Sequence, residues 1–100
     1  MTLEEMEALW RKHDDEFGKF SIIQNKLASR KDLHALIVLD KILPHKEGGD
    51  DIISAAEHDQ FWLAIDVNEL AEVITEEQII ELIRCGVFYD SEVDVLSFFT

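Results

Sequence analysis

The sequence predicts an α+β domain: N-terminal helices followed by hairpin–helix–helix–hairpin, with a small antiparallel sheet packed on the helices. Three observations carry this prediction. Apolar residues recur at spacings of three and four in the opening segment and again around Ile79 to Ile83. Two runs of β-branched and aromatic residues are each interrupted by a polar turn. Helix-capping signals stand between those runs.

The opening segment has a continuous apolar stripe. Leu3, Met6, Trp10, His13, Phe17 and Phe20 share one helical face, and Leu9 widens it. Thr2 is positioned to cap the helix, and Glu4, Glu5 and Glu7 lie in or near the first turn, where the helix dipole favours anions. Gly18 is the expected stop. Residues 21–43 contain neither Gly nor Pro and read either as one long helix or as two. Two are favoured, because Ser29 precedes Asp32 by three residues in a weak form of the capping box. The second, "DLHALIVLDKIL", is apolar around most of its circumference and is expected to be buried on several sides. Pro44 stops it, and "PHKEGGDD" is a loop.

"DIISAAEHDQFWLAID" is ambiguous. It reads as a helix from Asp51 or as two strands joined by "EHDQ", and its β-branched and aromatic residues favour the hairpin. On the second strand Phe61, Leu63 and Ile65 would face the core, with Trp62 and Ala64 on the other side. Asp66 caps the short helix "VNELAEVI". Thr75 and Gln78 form a capping box for the next helix, whose apolar face is Ile79, Ile80, Leu82 and Ile83. Arg84 falls in its last turn and Gly86 just beyond it. "VFYDSEVDVLSFF" is a second hairpin around an acidic turn.

Composition bounds the function. At 100 residues, with 47% apolar and 31% charged side chains, the chain has enough apolar surface to fold as a single domain, 1–100. No apolar run approaches the roughly 18 residues that span a bilayer. The acidic N-terminus lacks the basic start of a signal peptide, and the lone Cys85 has no internal partner. A reducing, cytoplasmic setting is expected. The charge is uneven. Residues 1–46, the helical part, hold eight acids and eight bases. Residues 47–100, the acidic α+β part, hold fourteen acids and one base, and so carry the whole formal charge of −13. Such a half-chain is expected to gather into one negative patch that repels nucleic acid and anionic membranes and attracts basic partners.

"DLHALIVLDKIL", "DIISAAEHDQFWLAID" and "TEEQIIELIRCGVFYDSEVDVLSFF" resemble segments of a family of small acidic proteins encoded by tailed bacteriophages and prophages. The resemblance covers most of the chain, and "AEHD" and "RCGVFYD" are its most recognisable pieces. It implies a phage origin, hence the host cytoplasm, and supports the strand reading of "FWLAID". It brings no catalytic signature and no binding residue.

The residues give little support to an enzyme. His13, His34, His45, His58 and Cys85 stand in no C-x-x-C or H-E-x-x-H pattern, so no metal site or cofactor is expected. "HDD" and "EHD" are runs of neighbours, whose side chains diverge. His13 reads as a packed histidine on the apolar stripe, and His58 as part of a solvated turn. Asp90, Glu92 and Asp94 match the first, third and fifth positions of a calcium loop, but Val95 stands where that loop needs Gly. Cys85, at a helix C-terminus and without a sequence-near His, reads as a small buried hydrophobe. No catalytic residue is assigned; a small hydrolase or metal enzyme would rest on the carboxylates and histidines alone.

The leading expectation is a non-enzymatic interaction protein. Its acidic surface would dock on a basic, nucleic-acid-binding host protein and block it, as a DNA mimic does; an anti-defence role such as CRISPR inhibition is one concrete form. The interaction residues expected are Glu69, Glu72, Glu76, Glu77, Glu81, Asp90, Glu92 and Asp94. Direct binding of nucleic acid or membrane is not expected. The alternative is a structural or assembly protein acting as a homodimer, suggested by "ALIVLDKIL", Trp10 and Trp62.

Overall fold

A computed structural model describes residues 1–45, 47 and 51–99. Its class is α+β: four α-helices and a four-stranded antiparallel sheet. The helices are α1 (Leu3–Lys12), α2 (Lys31–Ile42), α3 (Val67–Val73) and α4 (Glu76–Arg84). The strands are β1 (Ile53–Ala56), β2 (Gln60–Leu63), β3 (Val87–Asp90) and β4 (Val95–Phe99). The order across the sheet is β1-β2-β4-β3, so the two hairpins join along β2 and β4.

The helix starts follow from local chemistry. Thr2 Oγ1 accepts from the Glu5 N–H while Glu5 Oε1 accepts from the Thr2 N–H, a complete capping box. Thr75 and Gln78 repeat it on α4, and Asp66 Oδ1 accepts from the N–H groups of Asn68 and Glu69 at the start of α3. At the far end of α4, Gly86 adopts φ +94, a left-handed conformation that side-chain-bearing residues rarely take.

Three expectations for the first half are corrected. The apolar stripe predicts a helix as far as Gly18, yet α1 stops at Lys12 with His13 as its C-cap. Two short 3₁₀ turns follow, Asp14–Glu16 and Phe20–Ile22. Distant partners draw the chain off the helical path: His13 Nε2 lies 2.7 Å from Glu76 Oε2, and Arg84 Nε donates to Glu16 Oε2 at 2.8 Å. Segment 21–43 therefore holds one helix rather than two. Its N-cap is Arg30, which makes no side-chain capping bond, and not Ser29. The all-round burial expected of α2 is also not found. His34, Ala35, Val38 and Leu39 are buried, but Leu33 is 48% exposed. The loop expected over residues 44–51 lies partly outside the described residues.

Residues 51–65 form the hairpin rather than the helix, with a register irregularity between Ile53 and Ala55. Pairing aligns Phe61, Phe98 and Val87 across one face of the sheet, with Leu96 and Tyr89 alongside. Trp62, Ser97 and Phe88 align across the other. Because α1 and α4 pack on β3, the first face is the inner one. There Leu63, Val87, Leu96 and Phe98 join Met6, Trp10, Leu70, Ile79, Leu82 and Ile83 in the core. The outer face is apolar as well. Phe88 packs at a tilt against Phe17, ring centres 5.1 Å apart, and meets Phe99 edge-on at 5.3 Å.

Candidate functional site

The expected site residues fall on two segments. Glu69 and Glu72 lie on α3, and Glu76, Glu77 and Glu81 on α4. The two helices are separated only by Ile74 and Thr75. Glu72, Glu76 and Glu77 therefore flank the junction, Glu69 lies in the first turn of α3 at the other end of that helix, and Glu76 and Glu77 sit in the first turn of α4, where the dipole favours them. Asp90, Glu92 and Asp94 belong to the turn that joins β3 to β4.

The side chains are not equivalent. Glu76 is held by His13 and has Lys12 Nζ at 3.7 Å. The imidazole first, and the lysine after it, keep this carboxyl below its ordinary value of 4.5. Glu81 is turned towards α2, with Oε2 3.7 Å from His34 Nε2. Asp94 Oδ1 accepts from the Tyr89 hydroxyl at 2.5 Å, and Asp90 Oδ1 accepts from the Glu92 N–H at 3.0 Å. Glu76, Asp90 and Asp94 are thus tied locally by hydrogen bonds, while Glu81 makes only the longer approach to His34. Glu69, Glu72, Glu77 and Glu92 are exposed and make no ion pair among the described residues.

The near-neutral front, residues 1–46, and the anionic back, residues 47–100, are linked by ion pairs. Lys12 and His13 of the front reach Glu76 of the back, and Arg84, the one base of the back, reaches Glu16 of the front. The two parts exchange ion pairs because α1 packs directly on α4.

The other candidates resolve by geometry. His13 is half-buried and bonded to Glu76 rather than packed in the core. Cys85 is fully buried, and its thiol is pushed up to about 12, by burial first and by the Glu81 charge second. A thiol so far from ionisation at neutral pH is a poor nucleophile. Among the described residues, no three His, Cys, Asp or Glu side chains converge as a metal site would require. Nor is any helix among them long and apolar enough to cross a membrane.

Sequence reasoning missed His34. It is 1% exposed, and its Nδ1 accepts from the Leu27 N–H at 3.0 Å. The ring borders a groove between α2, the 24–27 segment and α4. The available signal was its position beside Ala35 and one turn before Val38, on the helix face that is buried.

Comparison with protein-family models, with curated proteins and with solved structures finds no match to this chain.

Proposed function

We propose that this protein is a non-enzymatic interaction protein that presents the α3–α4 corner to a basic surface of a partner. One observation supports the reading: Glu69, Glu72 and Glu77 are exposed on the consecutive helices α3 and α4 and have no cationic partner among the described residues. Charge density supports it. The long axis is 34 Å, and duplex DNA of that length carries about 20 phosphate charges. A net charge of −13 gives roughly two-thirds of that density. The partner is then a nucleic-acid-binding protein whose basic site the corner occupies in place of DNA. In the phage setting that the resemblance implies, it is a host protein, and blocking it is an anti-defence function such as CRISPR inhibition.

The test reverses Glu69, Glu72 and Glu77 to Lys together. Glu76 and Glu81 are left intact because they face His13 and His34 within the fold. Wild-type protein should capture a nucleic-acid-binding protein from host lysate, release it as salt rises, and lose it to competing duplex DNA. The triple variant should fold normally and capture nothing. Equal capture by both proteins, or capture indifferent to DNA and salt, rules the reading out.

A second reading, a homodimer, is favoured by the outer face of the sheet, where Trp62, Phe88 and the 37%-exposed Phe99 form an apolar surface partly covered by Phe17. Sedimentation at micromolar concentration decides it: a dimer supports this reading and a strict monomer ends it.

A further inference from the structure

The two edges of the sheet differ. At the β3 edge, α1 packs alongside and the Val87 carbonyl accepts from the Trp10 indole. At the other edge, β1 pairs with β2 alone. The Ile52 carbonyl accepts from the Ala64 N–H, and the Glu57 N–H donates to the Gln60 carbonyl, so both groups face β2. Backbone direction alternates along a strand, which turns the N–H and C=O of Ile53 and Ala56 away from β2. Among the described residues no hydrogen bond reaches them from that side.

Side chains leave the same edge open. All four residues of β1 are exposed, including Ile53 and Ala56, whose partners Leu63 and Phe61 lie on the inner face. The helical layer therefore stops short of β1. Edge strands are ordinarily blunted by lysine, proline or inward-pointing charge, and "ISAA" has none of these. The strand is short, and its register shifts between Ile53 and Ala55. That leaves room for one extended segment and is too irregular for a second whole sheet.

Charge selects the segment. Asp51 lies just before β1, Glu57 directly after it and Asp59 in the turn to β2. All three are exposed, and none makes an ion pair among the described residues. A second copy of the chain, paired antiparallel at this edge, would bring these acids against their own counterparts, with a net charge of −13 on each side. A segment carrying lysine or arginine meets opposite charge at both ends of the strand.

We propose that β1 binds an extended, basic segment of a partner protein, added to the sheet as a further strand. The backbone of the segment bonds the free groups of Ile53 and Ala56, and its cations lie beside Asp51, Glu57 and Asp59. The proposal goes beyond the reading above, because it uses none of Glu69, Glu72 and Glu77.

The test is an NMR titration of the full chain with a peptide of alternating lysine and valine, about ten residues long so that it covers one strand. A second peptide of the same sequence, N-methylated at every residue, keeps the charge and loses the backbone donors. Saturable shifts centred on residues 53–56, with slowed exchange of the Ile53 and Ala56 amides, support strand addition. The N-methylated peptide should bind about tenfold more weakly or worse, because it cannot complete the ladder. Ala56→Pro should weaken binding of the unmodified peptide, and it is tolerated by the fold because the Ala56 N–H does not serve the pairing with β2. Joint Asp51→Asn, Glu57→Gln and Asp59→Asn should weaken binding and flatten its salt dependence. Joint reversal of Glu69, Glu72 and Glu77 to Lys should leave the shifts at β1 in place, whatever it does to capture of a host protein. The proposal is overturned if no shift appears at β1 at millimolar peptide, if the N-methylated peptide binds equally well, or if the shifts centre on α3 and α4. It is also overturned if the β1 amides are already protected by self-association without peptide.

Discussion

The indole Nε1 of Trp10 donates to the carbonyl oxygen of Val87 at 3.0 Å, a buried hydrogen bond between groups 77 residues apart. It fastens α1 to the first residue of β3, and the same ring lies 6.3 Å from that of Tyr89. The near-neutral and the acidic parts of the sequence meet at this bond. Trp10→Phe keeps an aromatic ring and leaves the Val87 carbonyl without its partner. It should lower stability by about 1–3 kcal/mol, the cost of an orphaned buried acceptor. Urea unfolding checks this, with Trp62 as the remaining fluorophore. An unchanged midpoint would mean that water replaces the indole.

Thr75 starts α4, the helix whose Ile79, Leu82 and Ile83 sit in the core. Thr75→Ala removes the acceptor for the Gln78 N–H and should cost about 1 kcal/mol. Thr75→Ser should restore most of the loss. If Ala and Ser behave alike in thermal unfolding, the hydroxyl is not what holds the helix start.

Acid should destabilise the protein in a defined window. The Arg84 hydrogen bond, chiefly, lowers the Glu16 carboxyl, and the His13 hydrogen bond, chiefly, lowers that of Glu76. Carboxyls held lower in the folded state contribute stability that is fully present above their unfolded value of 4.5. That stability is lost as pH falls through the lowered folded values. The melting temperature should therefore decline below about pH 4.5. Glu16→Gln and Glu76→Gln should each flatten the decline, and a variant as acid-sensitive as wild type would exclude its carboxyl as a cause.

Tyr89 is the chain's one tyrosine, so its titration is directly visible. Burial first, and then its bond to Asp94, raise the phenol above its ordinary value of 10.0. A raised value means that stability is present below 10.0 and lost as pH climbs through the folded value. Tyrosinate absorbance should appear late, and earlier in Asp94→Asn. Onset at the ordinary value in the wild type would contradict the burial.

What the sequence made legible was local. The Thr2 cap, the Thr75 capping box, the Asp66 cap and Gly86 at the end of α4 are written within a few residues and survive intact. The hairpins were readable because alternation matched a sheet with an inner face. The stretch from His13 to Ser29 was not. Its apolar stripe continues the α1 period, but Glu16 and His13 are committed to Arg84 and Glu76, partners more than sixty residues away. The candidate site split in the same way. Glu69, Glu72 and Glu77 stand exposed as charge counting suggests, whereas Glu76, Glu81, Asp90 and Asp94 have partners that no count of charges reveals.

The strand order β1-β2-β4-β3 has a consequence for biogenesis. β4, last of these elements to be translated, is the keystone that bonds both to its own hairpin mate and to β2 of the earlier hairpin. Until Val95–Phe99 leaves the ribosome, Gln60, Phe61 and Trp62 have no neighbouring strand on that side, and β2 waits as an open edge. The abundant carboxylates on the same nascent chain then act as a built-in deterrent to premature pairing between polypeptides.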